Sequence, residues 1–313
     1  MSMAAQLVLV ASLGLGAGGI GAGQTRPPLV GRWDLTVTEG AETYPSWFEI
    51  TGGQGRFGGR FQGRGGHASA VTDVQVTGDR FRFVWPNDYD PTQPPTTIEG
   101  VVTGPHSLTG TIVDRAAKRT SFRGVRAPTL DRPAPAGWAG PIDLLAGGLG
   151  GWRVDPAGEP NGWRMVGDEL VNVPPSANLV TRETFQDFQL HVEVNVPAKG
   201  NSGIYLRGRH EVQVQDDFGN EPHNRRMGGI YGQVTPTSLP AKPAGEWQAF
   251  DITFVGRRVT VVLNGVTIID DQEIPGITGG ALDSDEAAPG PLMLQGDHGG
   301  IRYRNITIRP AKR

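Results

Sequence analysis

The chain has 313 residues, which is long for a single hydrophobic core, so two domains are the first expectation. Its 29 Lys and Arg against 32 Asp and Glu give a net charge of −3, which excludes the strongly basic surfaces of nucleic-acid-binding and polybasic membrane-binding proteins. The 47 Gly and 25 Pro separate short β-rich runs, and this pattern predicts an all-β protein. A neutral partner such as a sugar fits this charge balance but is not required by it, and we expect no nucleic acid and no stable membrane span.

Residues 1–25 contain no charged side chain, and the run from Leu7 to Ile20 is apolar and glycine-rich. This composition is typical of the hydrophobic part of a secretory signal and is too short for a membrane span. It departs from the usual pattern because no Lys or Arg precedes the apolar run. The chain has no cysteine, which excludes disulfides but not the periplasm. We predict a signal peptide over 1–25 and a periplasmic or secreted location.

The next segment, residues 28–127, contains short runs such as "GRWDLTV", "SWFEIT", "RFRFVW" and "SLTGTIVD". Their even spacing predicts a small antiparallel barrel. The Gly-x-Trp at Gly31 and Trp33 is similar to the opening of lipocalin-like barrels, in which the Trp closes one end. The stretch "GRFGGRFQGRGG" is more simply interpreted as a strand pair with a glycine-rich hairpin than as a ligand loop.

Residues 128–137 are rich in Pro and Ala and are predicted to be a linker. A second domain over 138–310 contains the β-rich runs "FQLHVEVNV", "SGIYLRG", "EVQVQ", "AFDITFV", "RVTVVLNG" and "IRYRNITI". No segment has a sustained period of 3.6, so helices are expected only as short turns. The predicted fold is therefore a lipocalin-like antiparallel barrel followed by a jelly-roll β-sandwich.

Polar and apolar side chains alternate in the segment "SGIYLRGRHEVQVQ". Because successive strand residues face opposite sides of a sheet, Tyr205 and Arg207 are predicted to share one face. If the next strand pairs back on this one, Glu211, Gln213 and Gln215 join that face, because both apolar sets must face one core. A solvated outer face with a Glu–Arg pair is the alternative. Gln and Tyr beside Arg are nevertheless the planar donors and acceptors that suit sugar hydroxyls.

A second group of polar residues lies in "LMLQGDHGGIRYRNI" near the C-terminus. Gln295 ends an apolar strand, His298 lies in a glycine-flanked loop, and Arg304 alternates with apolar residues on the last strand. A single histidine is more often structural than catalytic, but the neighbouring glycines keep His298 where a ligand can approach. Trp247, which opens a strongly β-patterned strand, is expected in the core rather than as a sugar platform.

A conventional glycosidase needs two carboxyl groups, roughly 5–5.5 or 6.5–9.5 Å apart. The strand of Glu211 has Gln at both following positions on the same face, and Asp216 falls on the opposite parity. The sequence therefore gives this mechanism little support. Metal binding stays open, because Asp217 and His298 could act as ligands together with Glu211 and Asp216. No His-x-His or compact Asp-rich motif is present, however. The acidic stretch "ALDSDEAAPG" is interpreted as a solvated loop.

From residue 138 to 310 the chain resembles the 3-keto-disaccharide hydrolase family, which has a concanavalin-like jelly roll. The matching motifs, in order, are "DFQLHVEV", "GNSGIYLRG", "EVQVQDD", "GGIYG", "KPAGEWQAFDI", "VVLNGVTI", "PGPLMLQGDHG" and "IRYRNITI". Gln248 departs from the family, in which Asn is commoner. The N-terminal barrel lies outside the resemblance.

The resemblance implies cleavage of the glycosidic bond in a sugar already oxidised at carbon 3. The ketone acidifies the hydrogen on carbon 2, so that a base starts a β-elimination, which hydration of the enone completes. His298 and Glu211 are the candidate bases. Asp216 is expected to orient a partner or to hold a divalent cation such as calcium. The expected substrate-binding residues are Asn201, Tyr205, Arg207, Gln213, Gln295 and Arg304, with Arg207 and Gln213 or Gln295 near the developing oxyanion.

Three rival hypotheses stay open. A jelly roll also suits a non-catalytic, lectin-like carbohydrate-binding protein, because fold alone does not decide function. The N-terminal barrel could instead bind the ligand while the second domain supports it. A conventional glycosidase acting on unoxidised sugar ranks last, on the carboxylate argument above.

Overall fold

The computed structural model describes residues 29–86 and 92–312, and there the all-β prediction is confirmed. The segment predicted to be a signal peptide, residues 1–25, lies outside the described residues. Within the described ranges, no helix is both long and apolar enough to cross a membrane.

The N-terminal domain is a single nine-stranded antiparallel sheet that curls into a nearly closed barrel. Its strand order is β4-β3-β2-β1-β9-β8-β7-β6-β5, and the ends of the sheet approach each other at β3 and β5. The strands are β1 (Gly31–Glu39), β2 (Glu42–Gly53), β3 (Arg56–Gln62), β4 (Ser69–Ala70), β5 (Thr72–Thr77), β6 (Arg80–Trp85), β7 (Thr96–Gly104), β8 (Ser107–Val113) and β9 (Arg119–Arg126).

Large aromatic side chains fill the barrel, including Phe48 and Phe83, whose ring centroids are 5.3 Å apart in an edge-to-face arrangement. Trp33 is fully buried near one end, where its indole N–H donates to the carbonyl of Leu29 at 2.8 Å. The guanidinium of Arg126 lies 4.2 Å from the Trp33 ring. Burial of these rings supplies the main stabilisation of the barrel.

The second domain packs a nine-stranded sheet against a five-stranded one. In the larger sheet the order is β13-β14-β23-β16-β19-β20-β21, with β10 and β11 also paired to β23, and in the smaller it is β12-β15-β22-β17-β18. The strands are β10 (Gly137–Trp138), β11 (Ile142–Asp143), β12 (Trp152–Asp155), β13 (Trp163–Val166), β14 (Glu169–Asn172), β15 (Asn178–Thr181), β16 (Phe188–Asn195), β17 (Asn201–Leu206), β18 (His210–Gln215), β19 (Trp247–Val255), β20 (Arg258–Leu263), β21 (Val266–Glu273), β22 (Met293–Leu294) and β23 (Ile301–Lys312); a short 3-10 helix covers Gly148–Gly151.

The core of this domain lies between its two sheets. On β16, alternate residues such as Leu190 and Val192 are buried, while His191 and Glu193 face outward. On β18, Val212 and Val214 contribute to the same core. This alternation leaves the second face of the smaller sheet available for a site.

The two domains meet at an interface that contains buried charge. The acidic stretch "ALDSDEAAPG" is not simply a solvated loop, as was expected, because its Glu286 is fully buried. Glu286 accepts hydrogen bonds from Arg257 at 3.0 Å and from Arg32 of the barrel. Trp47, also fully buried, donates its indole N–H to the carbonyl of Ile277 at 2.8 Å. These contacts join the barrel to the segment 276–286.

Asp34 lies in the same buried group, where burial and the Glu286 carboxylate raise its pKa to about 8. At neutral pH Asp34 is therefore mainly neutral. Burial also raises the pKa of Glu286, while the charges of Arg32, Arg207 and Arg209 lower it. A cavity of about 590 Å³ opens beside this group, lined in part by Arg60, Arg258 and Glu273. Since Arg60 and Arg258 pair with Glu49 and Asp271, we interpret this cavity as part of the domain interface.

Candidate active site

Strands β17 and β18 form the floor of the candidate site. Their register pairs Tyr205 with Glu211 and Asn201 with Gln215. The valines that alternate with these residues on β18 are buried between the sheets. Glu211, Gln213 and Gln215 therefore share the opposite face, together with Tyr205 and Asn201.

Glu211 lies over a glycine of the neighbouring strand and is only 4% exposed. Gly203 pairs with Gln213, and a Cβ atom on Gly203 would lie 2.5 Å from Oε1 of Glu211. Burial raises the pKa of Glu211 to about 8, while a hydrogen bond from Tyr205 and the charge of His298 lower it. The result is a carboxyl group that can accept and release a proton near neutral pH.

The hydroxyl of Tyr205 lies between two acceptors. It is 3.0 Å from Oε2 of Glu211 and 2.9 Å from the carbonyl oxygen of Gly279. Its single hydrogen can serve one acceptor at a time. When Glu211 is ionised, the phenol donates to the carboxylate. When Glu211 is neutral, its own O–H can donate to the phenol oxygen while the phenol donates to Gly279, so both protonation states are hydrogen-bonded.

The amide of Gln213 connects Glu211 to the rest of the polar row. In one orientation its nitrogen donates to Asn201 at 3.2 Å and to Gln215 at 3.1 Å. In the flipped orientation it donates to Oε1 of Glu211 at 3.2 Å and to the carbonyl of Ser202 at 3.2 Å. Gln213 can thus offer a donor to ionised Glu211 or an acceptor to the neutral acid.

The end of β22 brings Gln295, Asp297 and His298 to the same region. Ile204 pairs with Leu294, so Gln295 follows beside Gly203. The backbone N–H of Gln295 donates to the Gly203 carbonyl at 2.9 Å, which leaves its side chain to face the site. Nδ1 of His298 is 2.6 Å from Oδ1 of Asp297. This hydrogen bond, the Asp297 charge and the Glu211 charge raise the pKa of His298, although partial burial opposes them.

Arg207 does not lie on this face, so the prediction from strand parity is wrong for it. Its φ of 52° and the φ of 66° at Gly208 place both residues in the left-handed region, in the turn after β17. The alternation therefore ends at Leu206. Arg207 is fully buried, with its guanidinium 4.4 Å from the Phe254 ring, and donates to the carbonyl of Gly256.

Arg304 is also remote from Glu211, contrary to the expectation. It lies on the outer face of the larger sheet, where its guanidinium is 2.6 Å from Glu193 and 4.1 Å from the Trp247 ring. Trp247, which was expected in the core, is half-buried under this arginine. The sequence shows the alternation on β23 but not which sheet the strand joins.

Asp216 is used in a turn. Its Oδ2 accepts a hydrogen bond from the amide of Lys199 at 2.9 Å, and it follows β18 at the end opposite Glu211. At roughly 3.3 Å per strand residue, five positions place it about 16 Å along the chain from Glu211. Among residues 29–86 and 92–312, no group of three or more His, Cys, Asp or Glu is arranged to hold a metal ion. The predicted ligands therefore do not converge, and we derive no step through a cation.

Three further residues support the site: Tyr231 and Thr278 were assigned no role from the sequence, and Asp217 was considered there only as a possible metal ligand. The amide of Tyr231, in the "GGIYG" motif, donates to the carbonyl of Glu211 at 3.0 Å and extends the sheet beyond β18. Thr278 accepts a hydrogen bond from the Glu211 amide at 2.9 Å. Asp217 is buried and accepts from the amide of Met227 at 2.8 Å, which closes the loop after β18. Only the turn-forming "DDFGN" signals this last role in the sequence.

Gly203→Ala is expected to lower the rate of any reaction that uses Glu211 at least tenfold, because the added methyl group would occupy the space of the Glu211 carboxylate. Steady-state kinetics and thermal unfolding of the variant test this. Gly137→Ala is the matched control, since a Cβ at that strand position meets nothing within 4 Å. Equal activity in both variants would show that Glu211 does not need this space.

The fold is a β-sandwich that carries this row of planar donors and acceptors around a buried acid, and its match to a known family makes it a glycosyl hydrolase-like, carbohydrate-related protein. Residues 140–309 match the family described as a 3-keto-alpha-glucoside-1,2-lyase-like domain, and the chain belongs to this family. The resemblance inferred from the ordered motifs is confirmed.

Solved structures add to this assignment. A Parabacteroides distasonis protein provisionally described as a glycosyl hydrolase is 28% identical, with a TM-score of 0.50, over 58% of this chain and 94% of its own. A second protein from that organism, described in the same way, is 20% identical, with a TM-score of 0.46, over 55% of this chain and 94% of its own. A search of curated proteins found no match. The first of these similarities supports the jelly-roll fold of the second domain.

Proposed function

We propose that this protein cleaves the glycosidic bond of 3-keto-glycosides, including 3-keto-disaccharides, by removal of the proton on carbon 2, with Glu211 as the base. The observation that supports this most directly is a buried carboxyl group with a pKa of about 8 that faces amides along its strand. A base with a pKa near the working pH combines a useful ionised fraction with sufficient basicity. An ordinary carboxylate near pKa 4 would be a much weaker base.

Cleavage is proposed to proceed by elimination of the glycosidic oxygen, followed by addition of water. Glu211 takes the proton from carbon 2, and the electrons of that C–H bond pass to the carbon-3 carbonyl as an enolate. The enolate then re-forms the ketone while a double bond forms between carbons 1 and 2. The bond from carbon 1 to the glycosidic oxygen breaks, and its electrons leave with that oxygen. Water then adds to the enone at carbon 1, which completes a net hydrolysis.

His298 is proposed as the acid that protonates the departing oxygen. Its hydrogen bond to Asp297 raises its pKa and so enlarges the protonated fraction near neutral pH. The side chain is 46% exposed, which leaves it accessible to a substrate. Asp297 orients the ring through Nδ1 and leaves Nε2 to face the sugar.

The enolate oxygen at carbon 3 requires hydrogen-bond donors. Gln295 and Gln213 flank Gly203 and carry the side-chain amides nearest to the Glu211 carboxylate in the register of the sheet. Their N–H groups are proposed to stabilise the enolate, in the manner of an oxyanion hole. Asn201 and Gln215 are proposed to bind hydroxyl groups farther along the strands.

The test compares 3-keto-maltose with maltose, each with and without a chelator, and follows the products by mass spectrometry. Cleavage of only the oxidised sugar is the expected result, and exchange of the carbon-2 hydrogen with deuterated solvent should accompany it. Cleavage of maltose at a similar rate would contradict the proposal in favour of a conventional glycosidase. Binding without any cleavage would favour the lectin-like alternative. Loss of activity with the chelator would add a metal ion.

Tyr205→Phe is expected to move the rising limb of the pH–rate profile upward by about one pH unit. The Tyr205 hydrogen bond lowers the pKa of Glu211, so its loss raises that pKa further above about 8 and reduces the ionised fraction at pH 7. Rates of 3-keto-maltose cleavage between pH 5 and pH 10 measure the shift. Tyr44→Phe, in the barrel, is the control that should leave the profile unchanged. A downward shift in Tyr205→Phe would contradict the assigned hydrogen bond.

A further inference from the structure

A loop of the barrel domain borders the candidate active site. Residues 63–67, "GRGGH", follow β3. The preceding Gln62 is 1% exposed, and its amide nitrogen donates to the carbonyls of Gly63 at 3.0 Å and Gly65 at 3.1 Å. A buried side chain therefore anchors this loop from within the barrel, which gives it a defined shape.

The loop packs against the segment that supports Glu211. The amide of Gly280 donates to the carbonyl of Arg64 at 3.2 Å, and a Cβ on Gly279 would overlap the backbone of Gly66. Gly279 is the residue whose carbonyl accepts from Tyr205, and Thr278 accepts from the amide of Glu211. One face of the segment 278–280 thus contacts the barrel, and its hydrogen bonds hold the catalytic strand pair.

His67 extends this contact to the other edge of β18. A Cβ on Gly232 would overlap that of His67, so the histidine packs directly on Gly232. The neighbouring Tyr231 is paired through its amide with Glu211. His67 is half-buried, and its imidazole can both donate and accept hydrogen bonds. The barrel therefore places a polar side chain beside the segment that pairs with the strand of Glu211.

From these contacts we propose that the barrel loop 63–67 forms part of the substrate site and that His67 binds the sugar unit beyond the bond that is cleaved. This inference rests on the proposed site around Glu211. Gln213 and Gln215 extend along β18 in one direction and bind the first sugar unit. Across the outer edge of β18, next to Tyr231 and Gly232, the barrel loop is the polar surface that a second unit meets. His67 thereby selects disaccharides over simple glucosides.

The experiment uses the full chain with His67→Ala and measures the dissociation constants of maltose and methyl α-glucoside by calorimetry. Loss of one hydrogen bond should weaken maltose binding about tenfold and leave methyl α-glucoside unchanged. His67→Gln, which keeps a donor and an acceptor, should recover most of the affinity. His106→Ala changes an exposed histidine elsewhere in the barrel and should have no effect. Unchanged maltose binding in His67→Ala, or equal losses for both ligands, would overturn the inference.

Cleavage of 3-keto-maltose, followed separately in the same variants, distinguishes the two proposals. If the wild type does not cleave it but His67→Ala still loses maltose affinity selectively, the elimination mechanism fails and the role of the loop stands. If cleavage occurs and binding does not depend on His67, only the role of the loop fails. If the wild type binds neither sugar, the inference about His67 is overturned whatever the outcome of the cleavage assay.

Discussion

Replacing Glu211 with Gln is expected to lower kcat for 3-keto-maltose by about 10²–10⁴-fold, the range in which a general base contributes. Gln has nearly the same shape, so the hydrogen bonds with Tyr205 and Gln213 have matched partners and the sheet is kept. The measurement is single-turnover kinetics with circular dichroism as the check on the fold. Glu193→Gln is the matched control, because Glu193 pairs with Arg304 on the outer face of the larger sheet. A residual rate near the wild-type value would transfer the role of base to His298.

The same substitution should also change how stability depends on pH. Burial raises the pKa of Glu211 from 4.5 to about 8 in the folded chain, so the folded state binds the proton more tightly than the unfolded state. The contribution of the neutral acid is fully present below pH 4.5 and is lost as the pH rises to about 8, by at most about 5 kcal/mol. Glu211→Gln removes this loss, so the variant should be more stable than the wild type above pH 8. Parallel pH profiles in denaturant unfolding would contradict the buried, raised pKa.

Glu286→Gln is expected to destabilise the protein by about 3–5 kcal/mol, the cost of breaking a buried ion pair from one side. Glu286 is fully buried and accepts hydrogen bonds from Nε of Arg257 at 3.0 Å and from Arg32 of the barrel, and its Oε2 lies 2.9 Å from Nη2 of Arg257. Without its charge, two largely buried guanidinium groups lose their anion. Differential scanning calorimetry at pH 7 should show the midpoint lowered by roughly 10 °C.

The control for this prediction acts on the same arginine. Glu273 approaches Arg257 at 3.8 Å but is 64% exposed, so Glu273→Gln should cost less than about 1 kcal/mol. Equal shifts in the two variants would show that burial does not decide the effect. A separate, earlier transition of the barrel in Glu286→Gln would show that the domain interface is lost first.

Periodicity and spacing were sufficient to predict the all-β fold, because strands with one buried face show a period of two that does not depend on their partners. The same rule placed Tyr205, Glu211 and the two glutamines of β18 together, since adjacent strands joined by a short turn must face one core. The family followed from ordered motifs between residues 138 and 310, and the family match covers residues 140–309.

The tertiary structure decided which side chains reach the site wherever their position depends on a turn, on which sheet a strand joins or on contact with distant segments. Arg207 leaves the predicted face because a left-handed turn breaks the alternation, and Arg304 is remote because β23 belongs to the larger sheet. The burial that raises the pKa of Glu211 depends on chain segments distant in sequence, including the one that contains Thr278. The alternation of polar and apolar residues is a property of the local sequence of one strand. Desolvation and contact between domains arise only when separate parts of the chain pack together.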